Sequence, residues 1–125
     1  MTVLSSLATP TGSTRAGTVT VNIAPTPTEL DRWPGTSFES GRIAFENLDS
    51  TQTYNGWLEV RPVVGSGTWS ILEELMWNGV APFTLIDRRL PDNAIGAGEV
   101  RFMATTDGAG GSANYTRRQL HLVNT

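Results

Sequence analysis

The amino-acid sequence predicts an all-β protein, an antiparallel β-sandwich of immunoglobulin-like or jelly-roll type with about seven strands. The composition is rich in turn formers, with 13 Gly and 7 Pro among 125 residues, and charged residues make up only 17%. Short segments in which apolar and polar residues alternate recur along the chain, as expected for half-buried strands. Clusters of Gly, Pro, Asn and Asp separate these segments at nearly regular spacing. A chain of this length accommodates one domain with one hydrophobic core.

The first residues differ in character from the rest of the chain. Residues 1–16 are rich in Ser, Thr, Gly and Pro, and their apolar anchors are Val3, Leu4 and Leu7. We therefore predict an extended N-terminal arm, followed by a single sandwich domain over residues 17–125. The segment lacks the basic start and long apolar run of a signal peptide, so we do not expect one here.

The clearest strand signal is the alternation of Val19, Val21 and Ile23 with polar residues. This pattern stops at two prolines, which lack the amide hydrogens that a central ladder requires. Residues 24–40 are then predicted to be a long connection. It contains Trp33, followed by Pro and Gly, and this indole is expected either to be exposed in a turn or to plug the core.

Four further strands are predicted in the middle of the chain. Alternation of apolar and polar residues predicts strands over residues 42–46 and 83–87. The strand over residues 57–64 is expected to turn at the Gly-rich residues 65–67 and to form a hairpin with the strand that follows. Residues 71–77 have a mixed pattern, so one helical turn is the alternative there.

The last two strands are predicted to pair as a hairpin. Val100 and Phe102 alternate with polar or small residues on the first strand, and Leu120 and Leu122 do so on the second. The Gly-rich residues 107–114 lie between them and are predicted to form the hairpin loop.

Residues 90–123 resemble the closing F–G hairpin of fibronectin type III and related immunoglobulin-like domains. In that family a Leu-Pro turn leads into a strand of alternating apolar residues that ends in Ala-Thr, and a Gly-rich loop and the final strand follow. The sequence departs from the family at two places: Glu99 and Val100 occupy the region of the expected tyrosine, and Phe45 stands where Trp is usual. The resemblance implies that the last two strands are neighbours in one sheet.

Composition and charge exclude several classes of function. The net charge is −3 and the sequence pI is about 5.0, so the clustered positive charge of a nucleic-acid-binding protein is missing. No stretch approaches the roughly 18 apolar residues that span a bilayer. The chain contains no cysteine, which excludes disulfides, thiolate catalysis and thiolate metal sites. We therefore expect neither nucleic acid nor a membrane as a partner.

The residues for a catalytic or metal site are sparse, and we predict no enzymatic activity, no metal and no cofactor. His121 is the single histidine, and it has no second His or Cys with which to complete a site. A glycosidase needs two facing carboxylates. Glu59, Glu73 and Glu74 are candidates, but the last two are adjacent and point to opposite faces unless their strand is bulged. An alternative for the acidic loop residues is calcium binding; these residues are Asp49, Asp92 and Asp107.

Tryptophans and arginines are the main candidates for an interface. Trp57 and Trp69 fall in predicted strands and are assigned to the core. Trp33 and Trp77 stand beside Pro or Gly, where an indole either packs locally or contacts a partner. Arginine forms forked contacts with carboxylates, so exposed arginines are expected to pair with acidic groups of a neighbouring subunit or to form a solvated face. The arginines considered are Arg88, Arg89, Arg117 and Arg118.

Taken whole, the chain resembles the small β-sandwich proteins that decorate bacteriophage capsids, which are short, cysteine-free, rich in Gly and Thr, and extended at their termini. The resemblance implies a virion structural protein, specifically a capsid decoration or cement subunit that bridges neighbouring shell subunits. The implied partners are the major capsid protein or other virion subunits, together with further copies of the chain. Val3, Leu4 and Leu7 would anchor the arm on a neighbour.

Two alternatives remain open at this point. In the first, the chain is a phage tail or fibre domain, or a carbohydrate-binding module, whose Trp33 and Trp77 stack on sugar rings. In the second, it is a small hydrolase that uses Glu59 or Glu73. The first alternative requires both indoles to be exposed, and the second requires a cleft with facing carboxylates.

Overall fold

The computed structural model describes residues 9–21, 26–35, 40–95, 97–108 and 111–123. Within those ranges, the side chains of residues 9–16, 19, 40 and 119–123 are not described. Val3, Leu4, Leu7 and Ile23 therefore lie outside the described residues. No helix of the described part is long and apolar enough to cross a membrane.

The described residues form eight β-strands. Their bounds are β1 Thr9–Val21, β2 Thr28–Trp33, β3 Ser40–Asn47, β4 Tyr54–Arg61, β5 Ser70–Val80, β6 Leu85–Arg89, β7 Glu99–Thr106 and β8 Gly111–Val123. The strands form two four-stranded sheets: sheet A has the order β1-β8-β3-β6, and sheet B has the order β2-β7-β4-β5. Every described pairing is antiparallel. The predicted all-β sandwich is confirmed.

The strand order shows that the sandwich is of the jelly-roll type, one of the two types predicted from the sequence. Consecutive strands mostly lie in opposite sheets, and β4 and β5 are the one consecutive pair among the named strands that are neighbours in a sheet. An eight-stranded double sheet wound in this way consists of two Greek keys. The first strand, β1, and the last, β8, consequently lie side by side.

The predicted closing hairpin is wrong. Strand β7 pairs with β2 and β4 in sheet B, whereas β8 pairs with β1 and β3 in sheet A. The Gly-rich segment after β7 therefore crosses from one sheet to the other, and the likeness to an immunoglobulin-like closing hairpin does not hold. Alternation showed that each strand has one apolar face, but it carries no information about which neighbour accepts the hydrogen bonds.

Strand β1 begins at Thr9, eight residues before the start that alternation suggested. It pairs with β8 from Thr9 opposite Val123 to Val21 opposite Gly111. Residues 9–16, assigned to the arm by sequence, thus belong to sheet A. A backbone ladder does not need apolar side chains, and the Thr-rich composition of this segment suits a strand. The rest of the predicted arm, residues 1–8, lies outside the described residues.

Strand β2 lies within residues 24–40, which were predicted to be a long connection without a strand. Its register shifts between Glu29 and Asp31, and this bulge leaves two consecutive residues, Leu30 and Asp31, buried. A bulge of this kind interrupts the alternation on which strand prediction depends. Trp33 ends the strand rather than standing in a turn.

Strand β5 settles the ambiguity at residues 71–77 in favour of a strand. Trp57 of β4 pairs with Met76, whereas the next residue, Leu58, pairs with Leu72. The residues between these partners form a bulge in which Leu75 is buried and both preceding glutamates are exposed. The mixed sequence pattern reflects this bulge, not a helical turn.

The two sheets meet in a core centred on Phe102. Its ring stacks on Tyr115 of sheet A with centroids 5.1 Å apart, and it makes an edge contact with Phe45 at 5.4 Å. Trp77 approaches it from β5 at 6.0 Å. Such pairs contribute about 0.5–1.5 kcal/mol beyond the area that they bury. Aromatic contacts between the sheets therefore fix the spacing and orientation of the sandwich.

Candidate interaction surfaces

The positions of the tryptophans agree only in part with those predicted, and for Trp33 the structure shows the core-plug alternative. Trp33 is only 3% exposed and belongs to the core, whereas Trp57 and Trp69, assigned to the core, are half-buried. Trp77 lies within β5 and is also half-buried. The sugar-binding alternative required an exposed Trp33, and the burial of this side chain removes the pair of stacking indoles on which that alternative rested.

Trp69 lies against a group of arginines on sheet B. The guanidinium carbons of Arg101 and Arg61 are 4.2 and 4.4 Å from the centre of an indole ring, and that of Arg32 is at 5.3 Å. Cations prefer the face of an indole because its π electrons make that face negative. Trp69 therefore holds together arginines from three different strands, a contact that spacing along the sequence did not reveal.

The carboxylates of Glu59 and Glu29 pair with two of these arginines. Arg101 Nη2 donates to Glu59 Oε1 at 2.5 Å, and Trp57 Nε1 donates to Glu59 Oε2 at 2.8 Å. Arg32 Nη2 lies 2.6 Å from Glu29 Oε1. Glu59, a candidate catalytic carboxylate, is thus fully engaged as an acceptor. The network fastens sheet B and leaves no free acid at this position.

Glu99 fastens the β4–β5 connection to the same sheet. It accepts from Arg61 Nε at 2.7 Å and from the backbone nitrogen of Gly65 at 3.2 Å. The Gly65 amide first, and then Arg61, favour the charged carboxylate and hold the pKa of Glu99 below its ordinary value. The connection is consequently fixed most firmly when this carboxylate is ionised.

The acids considered for calcium do not come together. Asp49 and Asp107 lie at the end of the sandwich where β3 ends, and Asp92 lies in the turn after β6, at the opposite end. Asp107 accepts from Asn55 and Thr53, and these hydrogen bonds lower its pKa. Within the described residues, no group of three or more potential metal-ligating side chains is found.

Tyr54 is buried beside Asp49. Its hydroxyl donates to the carbonyl oxygen of Ser112 at 2.8 Å, which joins β4 of sheet B to β8 of sheet A. Burial, followed by the charge of Asp49, raises the pKa of Tyr54 to about 12. The phenol therefore remains a hydrogen-bond donor at all physiological pH values.

Arg117 was predicted to contact an acidic partner, but its side chain turns into the sandwich. It is 8% exposed, and its Nε lies 3.4 Å from Asp31 Oδ2. Its guanidinium carbon is 4.7 Å from the centre of a Trp33 ring. Asp31 Oδ2 also accepts from the Tyr115 hydroxyl at 2.9 Å. Arg117 thus contacts buried residues between the sheets and is not an exposed cation.

The other predicted arginines are exposed, and the structure adds Arg42 to them. Arg42 pairs directly with Arg89 of β6 on one side and with Arg118 of β8 on the other. We call Arg42, Arg89 and Arg118 the arginine row. Sequence did not single out Arg42 because only the sheet register places it between the other two. Arg88 lies elsewhere, with its guanidinium carbon 6.0 Å from the centre of a Trp77 ring.

A shallow depression adjoins the arginine row on sheet A. It has a volume of about 90 Å³ and is lined by Arg42 and Arg118 together with Ala44, Asp87 and Thr116. A second depression, of about 280 Å³, continues from Ala44 and Thr116. The small side chains at the centre of the sheet produce these hollows, which are too open to enclose a small molecule.

Exposed apolar side chains lie at both ends of the sandwich. Phe83 and Leu85, 66% and 57% exposed, are at the β5–β6 turn, and Val63 and Val64, each 57% exposed, are at the β4–β5 turn. Phe83 has a φ of 56°, the left-handed region that bulky residues avoid. His121 lies in β8, but its side chain is not among those described.

No protein-family model and no curated protein matches this sequence. Several solved structures share its fold, among them two from the same virus. One is a structure of infectious bursal disease virus, Gx strain, with a TM-score of 0.50 and 12% identity over 92% of this chain and 32% of that chain. The other is a crystal structure of the T13 particle of the same virus, with a TM-score of 0.50 and 13% identity over 90% of this chain and 31% of that one. The chain thus spans about a third of each.

Proposed function

We propose that this chain is a structural protein of a virus particle and resides in the virion. The observation that carries the proposal is the fold: the eight-stranded jelly roll matches chains of a virus particle over 92% of its length at a TM-score of 0.50. Jelly rolls also occur in lectins and cupins. A sugar site of the predicted kind lacks its exposed Trp33, so the particle role is the better supported one.

The distribution of charge and apolar surface supports an assembling protein. The polar groups around Trp69 are paired within the chain, whereas Arg88, Arg89 and Arg118 are exposed. Exposed arginines and apolar side chains at loop tips are typical of protein interfaces. Further copies of the chain and other virion subunits are the partners that we propose.

Within this class, the specific role that we propose is that of a capsid decoration or cement subunit. Residues 1–8 would lie across a neighbouring shell subunit, with Val3, Leu4 and Leu7 as apolar anchors. Repetition over many copies turns a modest contact of this kind into a stable shell. Strand β1 pairs with β8 from Thr9 onward, so a bridging segment would leave the sandwich directly from a paired edge.

The proposal is tested by asking whether the chain is present in particles. Virus particles from cells that express it naturally are purified on a density gradient, and an antibody against the chain is used on the fractions and, with gold labelling, on intact particles. A decoration subunit co-sediments with particles and is labelled on their outer surface. Labelling only after disruption would contradict the decoration role, and absence from the particle fractions would contradict the proposal as a whole.

The role of residues 1–8 is tested by deleting them. The shortened chain is expected to fold but no longer to bind to particles that lack the native protein. A second variant replaces Val3, Leu4 and Leu7 by Ser in the full-length chain. It keeps the length of the segment and removes the proposed apolar anchors. Full binding by both variants would contradict the proposed bridging role of residues 1–8.

A further inference from the structure

We infer that a second copy of this chain docks against the arginine row of sheet A through an acidic corner at the edge of sheet B. The acidic corner is defined as Glu73, Glu74 and Asp92. The inference rests on the proposed structural role and names the partner, a copy of the same chain, and the two surfaces in contact.

The arginine row is an arrangement that a neighbouring anion would stabilise. Arg89, Arg42 and Arg118 stand directly opposite one another on adjacent strands; at about 4.8 Å between strands, the row spans about 10 Å. Like charges in directly opposed positions repel each other. Arg42 Nε donates to Asp87 Oδ1 at 3.1 Å, but Arg89 and Arg118 take part in none of the ion pairs found among the described residues.

The acidic corner is produced by the bulge in β5. Because the strand register advances from Leu72 to Met76 across a single step of β4, Leu75 enters the core and both Glu73 and Glu74 stay exposed. Asn93 Nδ2 donates to Glu74 Oε1 at 2.8 Å and so joins the turn after β6 to the bulge.

The third acid, Asp92, is exposed in that turn. In the part of the chain that the structure describes, no ion pair includes any of these three acids. The corner therefore presents unpaired negative charge on a fixed stretch of backbone.

The two surfaces lie next to each other on every copy. Strands β5 and β6 are edge strands of their sheets, and the position of Arg88 over Trp77 shows that these edges adjoin. Asp92 follows Arg89 by only three positions. When two copies meet about a two-fold axis, the row of each faces the corner of the other, so the contact is made twice.

Charge complementarity favours a second copy over nucleic acid. A phosphate backbone would be attracted by the row but repelled by the adjacent corner, and the chain as a whole carries −3. A copy of the chain satisfies both patches at once. Arginine also offers the forked geometry that carboxylates accept.

The experiment measures self-association of the full chain by sedimentation velocity. Arg89→Glu/Arg118→Glu reverses the row and leaves the Arg42–Asp87 pair intact, and Glu73→Arg/Asp92→Arg reverses the corner and leaves the Glu74–Asn93 hydrogen bond intact. Each double variant alone is expected to associate at least about tenfold more weakly than the natural chain. An equimolar mixture of the two restores association, because the row of each then fits the corner of the other.

The control compares two neighbouring residues that carry the same charge. Arg89→Glu should weaken association, whereas Arg88→Glu, outside the row, should not. Raising the salt from about 50 mM to about 500 mM should weaken association of the natural chain, because the contacts are exposed ion pairs. A natural chain that is monomeric at low salt, or a mixture that fails to associate, overturns the inference.

These results are independent of the particle experiment. If the chain is found in particles but the charge reversals leave self-association unchanged, the docking contact is wrong and the proposed function stands. If the reversals and the mixture behave as expected but the chain is absent from particles, the contact stands and the proposed function is wrong.

Discussion

Arg117 and Arg118 are adjacent in the sequence and have opposite surroundings. Successive residues of a strand point to opposite faces, so Arg117 enters the sandwich beside Asp31 and Arg118 faces solvent. The sequence shows two arginines in a row, but it does not show which one faces the core. The alternation of Leu120 and Leu122 sets a phase for the strand, and Arg117 lies out of phase with these two leucines. The inward face of the strand is instead marked by the buried Tyr115, and Arg117 is in phase with Tyr115.

The buried pair of Asp31 and Arg117 should be sensitive to loss of one partner. Asp31→Asn leaves the Arg117 charge without a counter-charge in the interior, and we expect the free energy of unfolding to fall by about 3–5 kcal/mol. Urea denaturation measures this change. The double variant Asp31→Asn/Arg117→Met removes both charges and is expected to recover most of the loss.

The control at this site is Arg118→Met, which removes an exposed arginine of the same strand. Its effect should stay within about 0.5 kcal/mol. If Asp31→Asn unfolds at the same urea concentration as the natural chain, the pair makes no net contribution and Arg117 is stabilised by Trp33 and its other contacts alone.

At the scale of strands, β1 shows what pairing adds to a segment without a strong sequence signal. The described ladder with β8 begins at Thr9. We expect deletion of residues 1–8 to change the free energy of unfolding by less than about 0.5 kcal/mol. Deletion of residues 1–16 removes eight of the 13 residues of β1 and exposes the edge of β8, so a loss of about 2 kcal/mol or more is expected.

Thermal and urea denaturation of the two shortened chains separate these cases. Amide hydrogen exchange on the full chain gives a second readout, since residues 9–16 should exchange about as slowly as the part of β8 that they cover. Equal stability of the two shortened chains would mean that residues 9–16 contribute no pairing energy in solution.

The β4–β5 connection should make stability depend on pH through Glu99. In the folded protein the pKa of Glu99 is below 4.5, its ordinary value. The charged carboxylate therefore stabilises the folded state more than the protonated side chain does. This contribution is present above pH 4.5 and is lost as the pH falls through the lower, folded value. Glu99→Gln should therefore flatten the fall in urea midpoint as the pH is lowered below 4.5.

Asp107→Asn is the companion variant at the opposite end of the sandwich. The pKa of Asp107 is also lowered, by hydrogen bonds from Thr53 and Asn55, and the sign of its effect is therefore the same. The two substitutions should flatten the pH profile additively, because the sites share no partner. A profile unchanged by Glu99→Gln would show that Gly65 and Arg61 bind the neutral side chain equally well.

Most strands were predictable from sequence, and the exceptions have physical causes. Alternation located β3, β4 and β7, and the hairpin of β4 and β5. It also located β8, but through Leu120 and Leu122, which are out of phase with the buried Tyr115. It missed β2, where the bulge after Glu29 buries Leu30 and Asp31 together. The candidate surfaces were less predictable: the arginine row exists only through the register of three strands, and the Trp69 cluster only through contacts between distant segments.

At the scale of the whole molecule, the order of the strands in the two sheets could not be predicted from the sequence. The likeness to an immunoglobulin-like hairpin placed β7 beside β8, whereas the jelly roll sends them to different sheets. Both arrangements bury the same residues of β7, such as Val100 and Phe102, so the apolar pattern of this strand cannot choose between them. The choice depends on which backbone edges remain available after the other strands have paired.

An engineered disulfide tests the strand order directly. Thr18 and Asn114 are directly opposite on β1 and β8, hydrogen-bonded at 3.0 Å and 96 positions apart. The variant Thr18→Cys/Asn114→Cys should oxidise readily in a chain that has no other cysteine. Closing so long a loop is expected to add about 3–5 kcal/mol to the free energy of unfolding.

The matching control is Thr105→Cys/Thr116→Cys, because a hairpin of β7 and β8 with its loop at residues 107–114 would place these two residues opposite each other. In the jelly roll these residues lie in different sheets, and the pair should remain reduced under the same conditions. Mass spectrometry of the oxidised variants distinguishes the outcomes, and a disulfide in the second pair but not in the first would refute the strand order described here.

The pairing of Thr9 with Val123 makes the domain nearly circular, since its polypeptide enters and leaves at neighbouring points. Domains with adjacent ends tolerate circular permutation and insertion into other proteins. A short linker could therefore join the two ends, and new ends could be opened at the exposed turn that contains Phe83. For the same reason, reporters joined directly before Thr9 and directly after Val123 would emerge from one side of the sandwich, which makes the fold a convenient carrier for displayed peptides.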